Sequence, residues 1–256
     1  GFVRVALPLF PEAAGALAPL VLALALLGLV YGTLLAWSPR SLRELAATFA
    51  TIQLAVALLG LFTLNLEGIE GAILHLVNQG LILAAWWFLI GMLEHRRGTS
   101  ELGEFRGIAK PMPVFAFLFG LAALAGAGLP LLNGFVSELL VLLGAFQVDP
   151  RVGLAAAAAL AVLAAAIFRV VLGVVAGPVE NPQNRGLIDL DGRERAILLA
   201  LLVPILWIGI HPETFLKRLH PSVLELLRVM EERTYESATP WPEPSDVQHM
   251  PPGARR

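Results

Sequence analysis

The feature that most constrains the fold is a helix-breaking segment, Gly128–Glu138, which reads GLPLLNGFVSE and lies within apolar sequence. Residues 112–128 before it are almost wholly apolar, and residues 139–146 after it are apolar again. If both flanks lie in a bilayer, the freed backbone groups must be buried in protein or line a wet cavity. Glu138 is then an ionisable residue at membrane depth, and such a residue is by default a candidate functional site.

The composition supports a membrane location. Of the 256 residues, 57% are hydrophobic and 15% are charged, whereas soluble domains carry about 25% charged residues. The chain has no cysteine, which excludes disulfides, thiolate metal sites and iron–sulfur clusters. The net charge of -2 gives no reason to expect nucleic acid as a partner. We therefore predict an all-α, polytopic transmembrane bundle with a discontinuous helix and no cofactor bound by this chain.

Seven apolar stretches are long or nearly long enough to cross a hydrocarbon core of roughly 30 Å. They are Leu17–Trp37, Leu42–Thr63, Ile69–Leu93, Met112–Pro130, Asn133–Phe146, Val152–Ala176 and Arg195–Ile210. This gives about seven spans, with the two stretches around the break each crossing once. Cationic residues flank the second and third spans on one side, which the positive-inside tendency makes cytoplasmic. They are Arg40, Arg43, Arg96, Arg97, Arg106 and Lys110.

The chain divides into three parts by composition. Residues 1–216 form the predicted transmembrane domain. Residues 217–236 predict an amphipathic interfacial helix, because apolar residues recur there at helical spacing; they are Val223, Leu224, Leu227 and Met230. Residues 237–256 are polar and rich in proline, which predicts a disordered tail.

Two charged residues inside apolar stretches are candidates for a proton path. A carboxyl group in a nonpolar environment keeps its proton to higher pH, so Glu138 is suited to carry one near neutrality. Gly134, one helical turn earlier, leaves room for water or a neighbouring helix. Arg169 lies well inside a predicted span and is interpreted either as a counter-charge for Glu138 or as a snorkelling residue. For Glu138 the alternative is a helix-end glutamate at the membrane surface.

Polar residues on the third span form a second candidate group. The spacing places His75 beside both Asn78 and Gln79 on one helical face. This face is interpreted either as a water wire with His75 as its titrating member, or as polar residues that bond neighbouring helices. Arg43 and Glu44 are either a proton entry gate or a helix-end ion pair. The break itself requires four residues under any interpretation: Gly128, Pro130, Asn133 and Gly134.

Several stretches resemble one family, the antiporter-like, proton-translocating subunits of respiratory complex I, of the chain M type. Residues 1–12 (GFVRVALPLFPE) are similar to the family motif after its first discontinuous helix, and Ala122–Phe146 resembles the second discontinuous helix. Ile167–Arg169 and Gly209–Pro212 match the two spans that follow. Membrane subunits of hydrogenase complexes and of multisubunit cation/proton antiporters are also similar.

The resemblance implies that the chain corresponds to the carboxyl half of such a subunit, in a multi-pass inner membrane location. It implies proton translocation through Glu138, driven by redox chemistry elsewhere in an NADH:quinone oxidoreductase-type complex, with no redox site in this chain. The implied partners are other membrane-arm subunits, the missing amino-terminal half and the lipid bilayer. Arg43 stands where the family usually has lysine, and Gln53 and Gln79 stand where histidine is common.

These departures keep other functions open. Arginine keeps its proton and glutamine does not titrate, so a non-conducting half that scaffolds the membrane arm is one alternative. A subunit of a cation/proton antiporter or of a membrane-bound hydrogenase is another. We expect waters that join Arg169, Glu138 and the His75 face if the chain conducts, and a dry Glu138 if it is a scaffold.

Overall fold

The computed structural model describes residues 2–238, with side chains through residue 235. Within these residues, polar caps and helix-breaking segments divide the apolar sequence into nine α-helices. A wide helical turn, Phe2–Ala6, precedes them. The helices are α1 (Leu7–Leu9), α2 (Pro11–Ala36), α3 (Leu42–Leu61), α4 (Leu66–Arg97), α5 (Pro113–Gly126), α6 (Asn133–Val148), α7 (Pro150–Val175), α8 (Gly192–Ile210) and α9 (Glu213–Ala238).

The boundaries of the long helices follow from local chemistry. The side chain of Asn65 accepts a hydrogen bond from the Gly68 amide and caps α4, as polar residues do at helix starts. Asp191 and Glu194 exchange hydrogen bonds in a capping box at the start of α8. Gly98 ends α4 with a φ of 74°, a conformation that glycine adopts without strain.

Four helices, α2, α3, α4 and α7, are long and apolar enough to cross a membrane, and α8 with α9 is a fifth candidate that bends by 71°. Helices α5 and α6 have 14 and 16 residues. At 1.5 Å per residue each is about 21–24 Å long, which is shorter than the hydrocarbon core. The all-α membrane bundle is confirmed, and the number of complete spans is lower than predicted.

The contacts of α5 and α6 explain the lower number. Both helices pack along α4 and run antiparallel to it. Three hydrogen bonds show this direction: Trp86 bonds Ala122, Asn78 bonds Asn133, and Asn65 bonds Gly144. The residue numbers fall along α4 while they rise along the broken pair. The broken pair therefore makes one crossing from one end of α4 to the other, with the break in between, and the expectation of two crossings was wrong.

One end of the bundle, which we call the basic end, gathers the carboxyl end of α4 and the starts of α3, α5 and α8. Arg96 binds Glu194 at 2.8 Å and joins α4 to α8. The Asp189 carboxylate accepts from the backbone amides of Val114 and Phe115 at 2.8 and 3.0 Å, which caps α5. The cationic residues predicted to share one side therefore flank helices that meet at this end.

The amphipathic helix α9 lies across the opposite end. It begins at Glu213 rather than at 217, directly after Pro212, whose carbonyl accepts the first hydrogen bond of the helix from the Leu216 amide. Val223 and Met230 are buried, whereas Leu224 is 45% exposed. Glu70 on α4 binds the His220 imidazole of α9 at 2.7 Å. Of the predicted disordered tail, 237–256, residues 239–256 lie outside the described part of the chain.

Candidate functional site

The break between α5 and α6 is held in place by glycines that leave no room for a side chain. Gly128 has a φ of 66°, which few other residues adopt. A Cβ at Gly134 would lie 2.2 Å from the Ala125 carbonyl oxygen. Leu131 also has a positive φ, 74°, and such backbone strain in a non-glycine residue often accompanies a functional site. Pro130 lies inside this non-helical segment and breaks the helix.

Glu138 lies on the first turns of α6 and is 7% exposed. Its carboxylate folds back over the break, since a Cβ at Gly128 would lie 2.2 Å from Oε2. The Gln53 amide on α3 faces Oε1 at 3.5 Å, a long hydrogen bond. Among the described residues no cation lies within 4 Å of this carboxylate. Burying an unpaired charge costs free energy. Loss of a proton from the Glu138 carboxyl group would therefore place an unpaired negative charge in a buried position.

A cavity of about 190 Å³ adjoins the Glu138 side chain between α6 and α7. Its wall on α7 is formed by Leu160, Ala161 and Ala164. Apart from Glu138, the side chains around this cavity are apolar. Glu138 therefore separates an apolar space on one side from polar residues of α3 and α4 on the other.

The polar side is a cluster in which four side chains are completely buried: His75, Asn78, Asn133 and Ser137. His75 Nδ1 lies 3.1 Å from the Ser137 hydroxyl. The Asn78 amide donates to the same hydroxyl at 3.1 Å and to the Asn133 carbonyl at 2.8 Å. We call these four residues, with Gln53, the polar cluster.

Gln53 links Glu138 to the rest of the polar cluster. Its side chain faces the Glu138 carboxylate, and its backbone lies beside the His75 imidazole. Three helices, α3, α4 and α6, thus bring a carboxyl group and an imidazole to the same buried region.

Several buried polar atoms in this region have no hydrogen-bond partner among residues 2–235, whose side chains the structure describes. They are Gln53 Oε1, His75 Nε2, Asn78 Oδ1, Asn133 Oδ1 and both polar atoms of the Gln79 side chain. Buried polar groups are nearly always hydrogen-bonded, and ordered water commonly supplies the partner. The concentration of such atoms beside Glu138 fits a hydrated polar region better than a dry core.

Three of the proposed path residues do not join this group. Arg169 donates to the Trp37 carbonyl at 2.6 Å, and it lies five positions after Ala164, which lines the Glu138 cavity. Arg43 pairs with Glu94 at 2.6 Å at the basic end. Glu44 accepts from the Arg40 backbone amide at 2.7 Å. The structure therefore separates a buried group around Glu138 from charged contacts at the basic end.

Two residues of the cluster were missed as site residues. Ser137 precedes Glu138 and lies four residues after Asn133, a spacing that places both on one helical face; this signal was available. Gln53 was noted only as standing where histidine is common in the family, and its approach to Glu138, 85 residues away in the chain, had no signal in the sequence.

Comparison with known proteins assigns the chain to a family. Residues 1–164 match the family described as "NADH:quinone oxidoreductase/Mrp antiporter, TM". NADH-ubiquinone oxidoreductase chain 4 of Arabidopsis thaliana is 32% identical over 228 residues, which are 89% of this chain and 46% of the relative. NADH-quinone oxidoreductase subunit M of Rhodobacter capsulatus is 31% identical over 228 residues, 89% of this chain and 44% of the relative.

The fold agrees with these sequence matches. A chain of the respiratory complex I from Thermus thermophilus superposes with a TM-score of 0.84 at 31% identity, covering 90% of this chain and 48% of that chain. This chain thus spans slightly less than half the length of the relatives that it matches. It is a multi-pass inner membrane protein, and it belongs to the family of transmembrane subunits shared by NADH:quinone oxidoreductases and Mrp antiporters.

Proposed function

We propose that this chain takes part in proton translocation within the membrane arm of a redox-driven NADH:quinone oxidoreductase-type complex. Family membership supports the general role, because relatives of known name are subunits of NADH:quinone oxidoreductases. The redox chemistry takes place elsewhere in the complex. Other membrane-arm subunits are the proposed partners, together with the amino-terminal half that longer relatives carry.

One observation carries the specific proposal: a buried carboxyl group without a cation partner adjoins a group of buried polar atoms without protein partners. A protonatable group at membrane depth is a functional candidate. The unpartnered atoms supply positions for water molecules, and water can carry a proton from one titratable group to the next. In this proposal Glu138 is the proton carrier.

In this proposal His75 is the proton acceptor, and its hydrogen bonds support that role. The Ser137 hydroxyl lies 3.0 Å from the Gly134 carbonyl, which accepts but cannot donate, so we assign the single hydroxyl proton to that bond. With that assignment, the Ser137 oxygen accepts from Asn78 and from His75 Nδ1, which in this proposal carries the hydrogen. Nε2 is then the basic nitrogen, and it has no hydrogen-bond partner among the described residues.

The proposed step follows from this tautomer. Glu138 releases its proton to water held by Gln53, and His75 Nε2 accepts a proton from that water. Imidazole is the side chain best suited to such transfer near neutral pH. Gln53 orients water and does not itself titrate. The bonds of Ser137 and Asn78 hold the imidazole in place during the transfer.

The test is Glu138→Gln in the assembled complex, with proton uptake followed alongside electron transfer. This substitution keeps the size and polarity of the side chain and removes the titrating group. Glu70→Gln is a matched control, since Glu70 has the same 7% exposure but contacts His220 rather than the polar cluster. We expect proton uptake per electron to fall sharply in the Glu138 variant and to stay near the unmodified value in the control.

The alternative is a scaffold that does not conduct. Gln53 and Gln79, neither of which titrates, are the observation in its favour. Unchanged pumping and assembly in the Glu138 variant would favour the scaffold and sink the carrier role. Equal losses in both variants would show that removing any buried carboxyl group impairs the complex.

A further inference from the structure

A second cavity, of about 300 Å³, lies at the basic end where α2 ends beside the last turns of α7. The residues lining it include Ser38, Leu102, Phe105, Arg169, Val170 and Gly173. None of its lining residues is acidic. This cavity is separate from the polar cluster and has no part in the proposed proton path.

Arg169 brings to this cavity a positive charge without a counter-ion. Its Nη1 donates to the Trp37 carbonyl at 2.6 Å, and its guanidinium lies 5.4 Å from the centre of the Trp37 ring. Neither contact neutralises the charge. Within the described part of the chain no carboxylate lies within 4 Å of Arg169, whereas other arginines near this end pair with glutamate. Those arginines are Arg43, Arg96, Arg97 and Arg106.

The position of the cavity corresponds to the headgroup region of a bilayer. It lies at the carboxyl end of α2, a helix long and apolar enough to cross the membrane. Trp37, which ends α2, is 42% exposed, and tryptophan is enriched at the membrane–water boundary. Phosphate groups of lipids occupy this level, and the positive-inside tendency places the basic end at the cytoplasmic leaflet, where anionic lipids are concentrated.

We propose that Arg169 and this cavity bind the headgroup of an anionic phospholipid. The guanidinium donors that Trp37 does not use are suited to bond a phosphate oxygen, since arginine forms strong charge-assisted bonds with phosphate. Leu102, Phe105 and Val170 provide apolar contact for the glycerol and the first acyl carbons. A zwitterionic headgroup gains less, because no carboxylate lines the cavity to meet its ammonium group.

Gly173 offers a way to block the cavity without altering Arg169. A Cβ at this position would have no other atom within 4 Å, so a larger side chain extends into open space in the cavity. Replacing glycine within a helix also removes an entropic penalty. Gly173→Leu is therefore expected to fold normally, even if Arg169→Gln loosens the contact with α2.

The experiment measures lipid binding to the full chain, purified in mild detergent with the partners that accompany it. Dioleoyl phosphatidylglycerol is titrated, and bound molecules are counted by native mass spectrometry. The variants are Arg169→Gln, Gly173→Leu and Arg151→Gln, the last of which removes an equal charge from the opposite end of α7. We expect about tenfold weaker binding in Arg169→Gln, the loss expected for one charge-assisted hydrogen bond, a comparable loss in Gly173→Leu because its side chain fills the cavity, and no change in Arg151→Gln.

Other results would overturn the proposal. Equal affinity in all variants would show that the site does not exist. A loss in Arg169→Gln without a loss in Gly173→Leu would show only charge attraction at the surface, and no cavity site. Equal affinity for dioleoyl phosphatidylcholine would contradict an anionic headgroup, and equal affinity for free glycerol phosphate would contradict a lipid ligand.

Discussion

At the scale of single residues, Ser137 organises the polar cluster. The Asn78 amide donates to its hydroxyl oxygen, His75 Nδ1 lies 3.1 Å from that oxygen, and the Gly134 carbonyl lies 3.0 Å from it. With its one proton assigned to the Gly134 carbonyl, as proposed above, the hydroxyl requires His75 Nδ1 to carry hydrogen. In the proposed transfer, a residue that does not titrate therefore sets the tautomer of the group that receives the proton.

Ser137→Ala removes this shared acceptor. The buried donors of Asn78 and His75 then lose a partner, which costs about 1–3 kcal/mol, so the thermal unfolding temperature in detergent should fall. The fixed tautomer is also lost, so proton uptake per electron should decrease. Val136→Ala, at the neighbouring position, is the control and should lower stability less while pumping is kept. Unchanged pumping in Ser137→Ala, with the complex intact, would contradict the role assigned to His75.

Helical spacing predicted part of this site. It placed His75 beside Asn78, and both contact Ser137 in the structure. It did not predict the partner of Arg169, because Trp37 lies 132 residues away in the chain. The Glu70–His220 contact spans 150 residues and was missed for the same reason. Periodicity reports the face on which a residue lies and gives no information about which helix covers that face.

At the scale of helices, the break between α5 and α6 depends on close packing around glycine. Gly134 allows the start of α6 to approach the end of α5, with the Ala125 carbonyl against its Cα. This approach turns α6 so that Ser137 and Glu138 face α3 and α4. The position of the carboxyl group therefore depends on a residue that has no side chain.

Gly134→Ala should disturb this packing, because the added Cβ would lie 2.2 Å from a backbone oxygen that cannot move independently. We expect a loss of about 1–3 kcal/mol of stability, typical of overpacking. Gly120→Ala within α5 is the matched control, since its Cβ would have no neighbour within 4 Å. It should stabilise the protein by about 0.5–1 kcal/mol. Thermal unfolding of both variants checks the prediction, and equal effects would refute it.

Segment lengths did not determine the number of crossings. The apolar stretches around the break seemed nearly long enough to cross separately, but residues 127–132 are not helical in the structure. This shortens α5 and α6 to about 21–24 Å. Whether two such helices form one crossing or two depends on their contacts with α4, which hydropathy does not report.

At the scale of the whole molecule, the two ends of the bundle differ. The basic end joins helix ends through ion pairs such as Arg96–Glu194, and the other end is covered by α9. The broken pair runs from one end to the other, so Glu138 lies between two different surfaces. Two separate crossings would instead place both connections of the pair at the same end.

Labelling of single cysteines tests this topology directly, since the sequence contains no cysteine of its own. Lys110 precedes α5, Gln147 lies in the last turn of α6 and Arg185 lies between α7 and α8; all three are exposed. In intact cells, a maleimide that does not cross membranes should label a cysteine at position 147 from the outside. It should reach positions 110 and 185 only after the membrane is opened, because the basic end is expected to face the cytoplasm. Labelling of 110 and 147 from the same side would mean that α5 and α6 cross separately, and the single course along α4 would have to be abandoned.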